Sequence, residues 1–158
     1  KMMADSGCDM VSNGDSPAGP DMISPEMYRK LALPRERIVA DTAHEAGVDY
    51  LLHICGNTTA ILDDMVTCGA DAIELDYKTD INKIYDICKD KVAFVGNVDP
   101  ANVLAFGSLD LLENKTRELL ELYKASPRFI LNAGCAIPPA TPEANLRRFI
   151  ELAREYKF

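Results

Sequence analysis

No run of apolar residues in this chain approaches the roughly 18 that a membrane-spanning helix requires, so a membrane span is not expected. The opening residues, Lys1-Met2-Met3-Ala4-Asp5-Ser6-Gly7, lack the apolar core of a secretion signal. With Asp5 and Gly7 in place they are expected to open in the middle of a longer chain. An excess of basic residues is also lacking: 17 Lys and Arg stand against 25 Asp and Glu, a net charge of −8. That balance argues against nucleic-acid binding, which leaves a basic patch. There is no Gly-rich phosphate loop, no Gly-x-Ser-x-Gly elbow and no Cys-x-x-Cys. No linker or low-complexity tract divides the 158 residues, so one domain is expected over 1–158.

Five cysteines, at positions 8, 55, 68, 88 and 135, form an odd set. Without a secretion signal they read as reduced thiols in a cytoplasmic protein. A single thiol is most often a small buried apolar group, and Cys68 and Cys88 read that way. His44, near a predicted helix C-terminus, reads as a surface charge partner.

What the chain does have is alternation. Five short apolar, β-branched or aromatic runs fall at 9–13, 49–55, 72–76, 92–96 and 128–132, separated by stretches of helical period. Such alternation predicts βαβ units around a parallel sheet. Ser24-Pro25-Glu26 and Thr141-Pro142-Glu143 each offer an N-cap, a proline at the first helical position and an acid in the first turn. Asn57, Thr79 and Ser108 are further cap candidates. Gly47 and Gly69 are expected as left-handed C-caps, and Pro34 should kink or split the first long helical run. In the last helix Leu146, Phe149, Ile150 and Ala153 are expected to face inward. Two architectures accommodate this pattern: a small open doubly wound sheet, or the C-terminal part, about five strands, of a (β/α)8 barrel. On the second, the chain is a partial barrel lacking its N-terminal half, with a sheet edge that needs the missing half or another chain to cover it.

The polar residues gather at the C-terminal ends of the predicted strands, the edge where parallel α/β proteins bind ligands. Asp15 follows the first strand, His53 and Cys55 end the second, Asp76 ends the third, Asn97 and Asp99 follow the fourth, and Cys135 follows the fifth. His53 and Cys55, two apart, share a face, and Cys135 comes 80 residues after Cys55. An imidazole and two thiolates suit zinc, and three protein ligands leave a fourth position open, as catalytic zinc sites do. Asp76 is a candidate fourth ligand or outer acid; Glu74, on the same face, reads as structural; Gly96-Asn97-Val98-Asp99-Pro100 also fits a simple turn.

Gly14-Asp15-Ser16-Pro17, Ser24-Pro25-Glu26-Met27-Tyr28, His53-Ile54-Cys55-Gly56-Asn57-Thr58, Gly69-Ala70-Asp71-Ala72-Ile73, Gly96-Asn97-Val98-Asp99-Pro100 and Asn132-Ala133-Gly134-Cys135 occur in this order. Together they resemble the uroporphyrinogen decarboxylase superfamily, and within it the methylcobamide:coenzyme M methyltransferase branch. The resemblance implies the C-terminal half of a (β/α)8 barrel. It implies zinc held by His53, Cys55 and Cys135, and a methyl group moved from a methylated corrinoid on a partner protein to a zinc-activated thiol such as coenzyme M. Asp76, Asp15 and Asn97 are then the candidate catalytic or pocket groups. The rivals are a metal-free decarboxylase of tetrapyrrole carboxylates and a non-catalytic fragment that binds a corrinoid protein or a thiol.

Overall fold

The computed structural model describes residues 2–156; Lys1 of the opening segment lies outside them. Helix α1 (Met2–Asp5) leads into β1 (Met10–Gly14), and a 3-10 turn at Ser16–Ala18 follows. Helix α2 (Pro25–Met27) runs through a π-helical segment, Tyr28–Ala32, into α3 (Leu33–Glu45). Then come β2 (Asp49–Ile54), α4 (Leu62–Met65), β3 (Ala72–Leu75), α5 (Ile81–Cys88) and β4 (Ala93–Val98). A second π-helical segment, Pro100–Ala105, precedes α6 (Leu109–Leu122), β5 (Phe129–Ala133) and α7 (Glu143–Glu155). All five expected strands form, within a residue or two of their expected bounds.

The strands are parallel and lie in chain order, β1-β2-β3-β4-β5. A doubly wound sheet reverses its strand order at a switch point. This sheet has none, so the barrel-type arrangement is the one adopted. Along β2 the alternation is plain: Tyr50, Leu52 and Ile54 are fully buried, while Leu51 and His53 are half-buried. The buried set packs, with Ile73, Leu75 and Phe94, against Leu33, Ala40, Ile84, Leu112 and Phe149 of the helices. The opposite face carries His53 and Glu74, register partners on β2 and β3, and Asn97 and Asn132, register partners on β4 and β5 one same-face step further along.

The local signals explain most boundaries. Ser24 Oγ accepts the Met27 N–H at 3.2 Å and Ser108 Oγ the Leu111 N–H at 3.2 Å. Gly47 (φ 76°) and Gly69 (φ 93°) take the left-handed conformation after α3 and before β3. Pro34 has no N–H to give the carbonyl four residues back, and the helical run is split just ahead of it: Leu33 N–H bonds to Tyr28 O, one residue further than in an α-helix.

Four expectations are corrected. Asp80, not Thr79, caps α5, its Oδ1 taking the N–H groups of Asn82 (2.9 Å) and Lys83 (3.1 Å). Thr79 is instead buried, bonded to Thr58 and to Gly56 O. Asn57 makes a local turn with Thr59 N–H at 3.1 Å, and the Thr141 hydroxyl donates to Pro138 O rather than capping α7. Helix α7 buries Asn145, Phe149 and Leu152, leaving Ile150 50% exposed. Asn145 turns that face inward because its amide donates to Leu104 O at 2.8 Å.

One buried pair makes stability depend on pH. Tyr28 Oη donates to Glu36 Oε2 at 2.5 Å, and both side chains are buried. Burial, with a smaller push from Asp15, lifts the Glu36 carboxyl to about 7, against the lowering effect of the Tyr28 bond. The folded chain therefore holds a proton there that the unfolded chain releases at its ordinary value of 4.5. Stability from this group is complete below that value and is lost as pH rises through about 7, on the order of 3 kcal/mol in all. The melting temperature should fall by several degrees between about pH 5 and about pH 8. Glu36→Gln should flatten that slope; an unchanged slope would place the titrating group elsewhere, with His44–Asp71 the next candidate.

Candidate metal centre

His53 is the last residue but one of β2 and Cys55 comes directly after its end; Cys135 follows β5 at the same edge. His53 Nε2 lies 2.8 Å from Cys55 Sγ, and Cys55 Sγ lies 3.3 Å from Cys135 Sγ. The three donor atoms fall within 4.8 Å of one another, and all three residues are half-buried. These are the three residues singled out as metal candidates from sequence, and the structure brings them together.

Two features of the backbone make this possible. At Gly134 a Cβ would stand 2.6 Å from Tyr77 N and 3.1 Å from Leu75 O. Only glycine lets the chain leaving β5 pass this close to the end of β3, and Cys135 is the next residue. At Gly56 (φ +84°) the chain turns sharply after Cys55, and its N–H is taken by Asp76 Oδ2 at 2.9 Å.

The imidazole is fixed from behind. His53 Nδ1 lies 3.1 Å from Glu74 O and 3.3 Å from Glu74 Oε2. Glu74 Oε1 in turn accepts from Asn132 Nδ2 at 2.7 Å. With Nδ1–H donating to Glu74, Nε2 is the nitrogen left with a free lone pair, and it is the one that faces Cys55. Burial pushes the Cys55 thiol up, but its contacts with Ser16, the His53 ring and Cys135 outweigh it and leave it below its ordinary value. Burial and the neighbouring Cys55 sulfur raise the Cys135 thiol above its ordinary value. The two sulfurs stand side by side, shifted in opposite directions by their surroundings.

The other candidates fall nearby but not within this cluster. The Asp76 carboxylate is buried and bonded to the N–H groups of Gly56 and Lys78; it ties the loop after β2 to the loop after β3. Asn97 is buried, with Nδ2 3.5 Å from Asp76 O. Asp15 gives its N–H to His53 O at 2.8 Å, extending the β1–β2 ladder. Asp99 caps the Pro100–Ala105 segment, with Oδ1 2.9 Å from both Ala101 N and Asn102 N. Cys68 and Cys88 are buried, as expected, and burial pushes their thiols up to about 11 and about 12. His44 pairs with Asp71 at 2.7 Å on the surface. A cavity of about 990 Å³ lies between α5 and α6, lined by Tyr77, Lys78, Asn97 and Leu119 among others, but none of the three soft donors lines it.

Sequence reasoning gave Glu74, Asn132 and Ser16 no role in the site. Glu74 could have been found from register: it stands directly opposite His53 on the neighbouring strand, whereas Asp76 lies one step beyond.

Comparison with known proteins fixes the lineage. The uroporphyrinogen decarboxylase (URO-D) family model matches residues 1–156. The chain belongs to that family. It is 33% identical over 158 residues to the methylcobamide:CoM methyltransferase MtbA of Methanosarcina acetivorans, covering 100% of this chain and 45% of that protein. It is 31% identical over 160 residues to the uroporphyrinogen decarboxylase of Prochlorococcus marinus, covering 44% of it. A solved methyltransferase from Methanosarcina mazei superposes with a TM-score of 0.86 at 29% identity, over 97% of this chain and 44% of that one. The chain thus spans less than half the length of the curated relatives it matches, and its fold is that of part of their (β/α)8 barrel.

If Glu74 fixes the ring of His53, removing its charge should loosen the donor set without disturbing the fold. Glu74→Gln is expected to weaken Zn²⁺ binding by about 10–100-fold in competition with a chromogenic chelator, with the melting temperature of the metal-free chain little changed. Unaltered affinity would reduce Glu74 to a structural side chain.

Proposed function

We propose that His53, Cys55 and Cys135 hold zinc, and that the protein to which this chain belongs moves a methyl group from a methylated corrinoid protein to a thiol such as coenzyme M. The observation that carries this reading is the convergence of one imidazole and two sulfurs from strands far apart in the sheet. Soft sulfur and imidazole donors select zinc over calcium or magnesium, and three of them leave one position for an incoming group. The MtbA relatives are named for methylcobamide and CoM, which agrees with such a site.

When bound, zinc supplies the positive charge that lets a substrate thiol ionise near neutral pH and holds its sulfur in place. The chain's own residues do the rest. Glu74 and Asn132 set the plane of His53, and Ser16 and Cys135 support the charge on Cys55. Asp76 holds the Gly56 turn that aims Cys55 inward. Asp15 and Asn97, at the ends of β1 and in β4, are proposed as pocket polar groups facing the substrates. The edges of β1 and β5 have no neighbouring strand among the described residues. Met10, Ile38 and Val39 near one edge, and Ile130 and Ile150 near the other, are exposed. The remainder of such a barrel, or another chain, is proposed to cover them.

The decarboxylase relatives point to the rival, a metal-free decarboxylase. That chemistry has no use for two half-buried thiols and an imidazole within one coordination sphere.

Protein purified without chelator should carry about one zinc per chain. Cys55→Ala or Cys135→Ala should abolish tight zinc binding, while Cys88→Ala lowers stability by about 1–2 kcal/mol and keeps the metal. The full-length protein should demethylate methylcobalamin in the presence of a thiol acceptor. Zinc lost from Cys88→Ala but retained in Cys135→Ala would overturn the ligand assignment, and a zinc-loaded protein inert toward every thiol would overturn the methyl transfer.

A further inference from the structure

The two sulfurs of the cluster are close enough to react with each other. Cys55 Sγ and Cys135 Sγ stand 3.3 Å apart, and a disulfide bond is about 2.05 Å long, so a shift of little more than about 1 Å joins them. Both residues are half-buried, open to a small oxidant from the inner face of the sheet. The remaining thiols have no such partner. Cys68 and Cys88 are buried, and the Cys8 thiol donates to Met3 O at 3.2 Å on the surface. Of the five free cysteines, then, two are placed to pair.

We propose that Cys55 and Cys135 are a thiol modification site: without metal, a low-molecular-weight disulfide such as oxidised glutathione converts them to an intrachain disulfide. The Cys55 sulfur attacks one glutathione sulfur, forming Cys55–S–S–glutathione and releasing one reduced glutathione. The Cys135 sulfur then attacks Cys55 Sγ, closing the Cys55–Cys135 bond and releasing the second. The protein loses two protons and two electrons, which one glutathione disulfide takes up to become two reduced glutathiones, so the exchange balances. The product staples the end of β2 to the chain after β5 and removes both sulfurs from metal binding. Zinc and oxidation compete for the same pair, and to that extent the inference rests on the zinc reading above.

The chain stripped of metal and the chain loaded with zinc are each incubated with oxidised glutathione. Thiols are counted in denaturant, and digests are searched by mass for the linked Cys55–Cys135 peptide. Metal-free protein should fall from five thiols to three with that peptide present, and dithiothreitol should restore all five along with zinc uptake. Zinc-loaded protein should oxidise at least about 10-fold more slowly, since a metal-held thiolate is less available for exchange. In Cys135→Ser, glutathione should accumulate on Cys55 with no internal link. Metal-free protein that keeps five thiols, or carries glutathione on Cys55 without the linked peptide, overturns the disulfide. Protein that forms the linked peptide but never takes up zinc leaves the disulfide standing and overturns the zinc reading alone.

Discussion

Cys55 and Cys135 follow strands three places apart in the sheet, yet their sulfurs lie 3.3 Å from each other. Neighbouring strands are about 4.8 Å apart, so in a flat sheet these positions would be separated by roughly 14 Å. The curl of the sheet closes that gap, and every property of the site depends on it. The curl is held from outside. One face of the sheet is covered by helices, and its strand residues there, among them Tyr50, Leu52, Ile73, Leu75 and Phe94, are fully buried. The aromatic group of Phe94, Tyr123 and Phe129, with ring centroids 4.5–5.7 Å apart, fixes β4 and β5 to the end of α6. A parallel sheet closing toward a barrel tilts and staggers its strands about a common axis, so strands apart in order come to face one another across it. Gly134 completes the approach by letting backbone meet backbone.

The inner face is built on a different principle. Where the outer face is apolar, the inner one carries an imidazole, two carboxylates, two amides and two thiols. Polar groups in such a place cost stability unless they are paired. They are paired in a definite order. Asn132 donates to Glu74, Glu74 accepts from His53, and His53 faces Cys55, which has Cys135 beside it. A chain of this kind fixes each member through the next, so ring orientation at His53 is set by a residue on β5 as well as by its neighbour on β3. The outcome is a donor set whose geometry is supported before any ligand arrives.

How much of this could be read from the residues alone varies with the physics involved. The strands were legible because buried parallel strands are short β-branched or aromatic runs, and the donor trio because its residue types and strand-end positions coincide. The roles of Glu74 and Asp76 were not legible. Strand parity puts both on one face, and only the register of β2 with β3 shows that Glu74 meets His53 while Asp76 reaches Gly56. Adjacent capping residues posed the same difficulty: Thr79 and Asp80 can each cap a helix, and the buried Thr58 hydroxyl, contributed by another loop, draws Thr79 away. In α7 the apolar stripe placed Phe149 correctly but not Ile150, because the inward face is rotated toward a polar residue, Asn145, that is buried to satisfy the Leu104 carbonyl. Tertiary hydrogen bonds decide each of these cases, and they are not written in local pattern.

Within this family, overall similarity does not separate the chemistries. The chain is 33% identical to a methyltransferase and 31% identical to a decarboxylase, a difference of a few positions. Both relatives share the frame because the frame is specified by many interchangeable apolar contacts, each tolerant of substitution. The site is specified otherwise. On the zinc reading proposed above, it rests on one imidazole and two ionisable thiols at strand ends, and on the glycine before Cys135, where a Cβ would stand 2.6 Å from backbone. A change of function in such a fold need not disturb the core at all. It requires only that the strand ends, already gathered by the curl, exchange the groups they present.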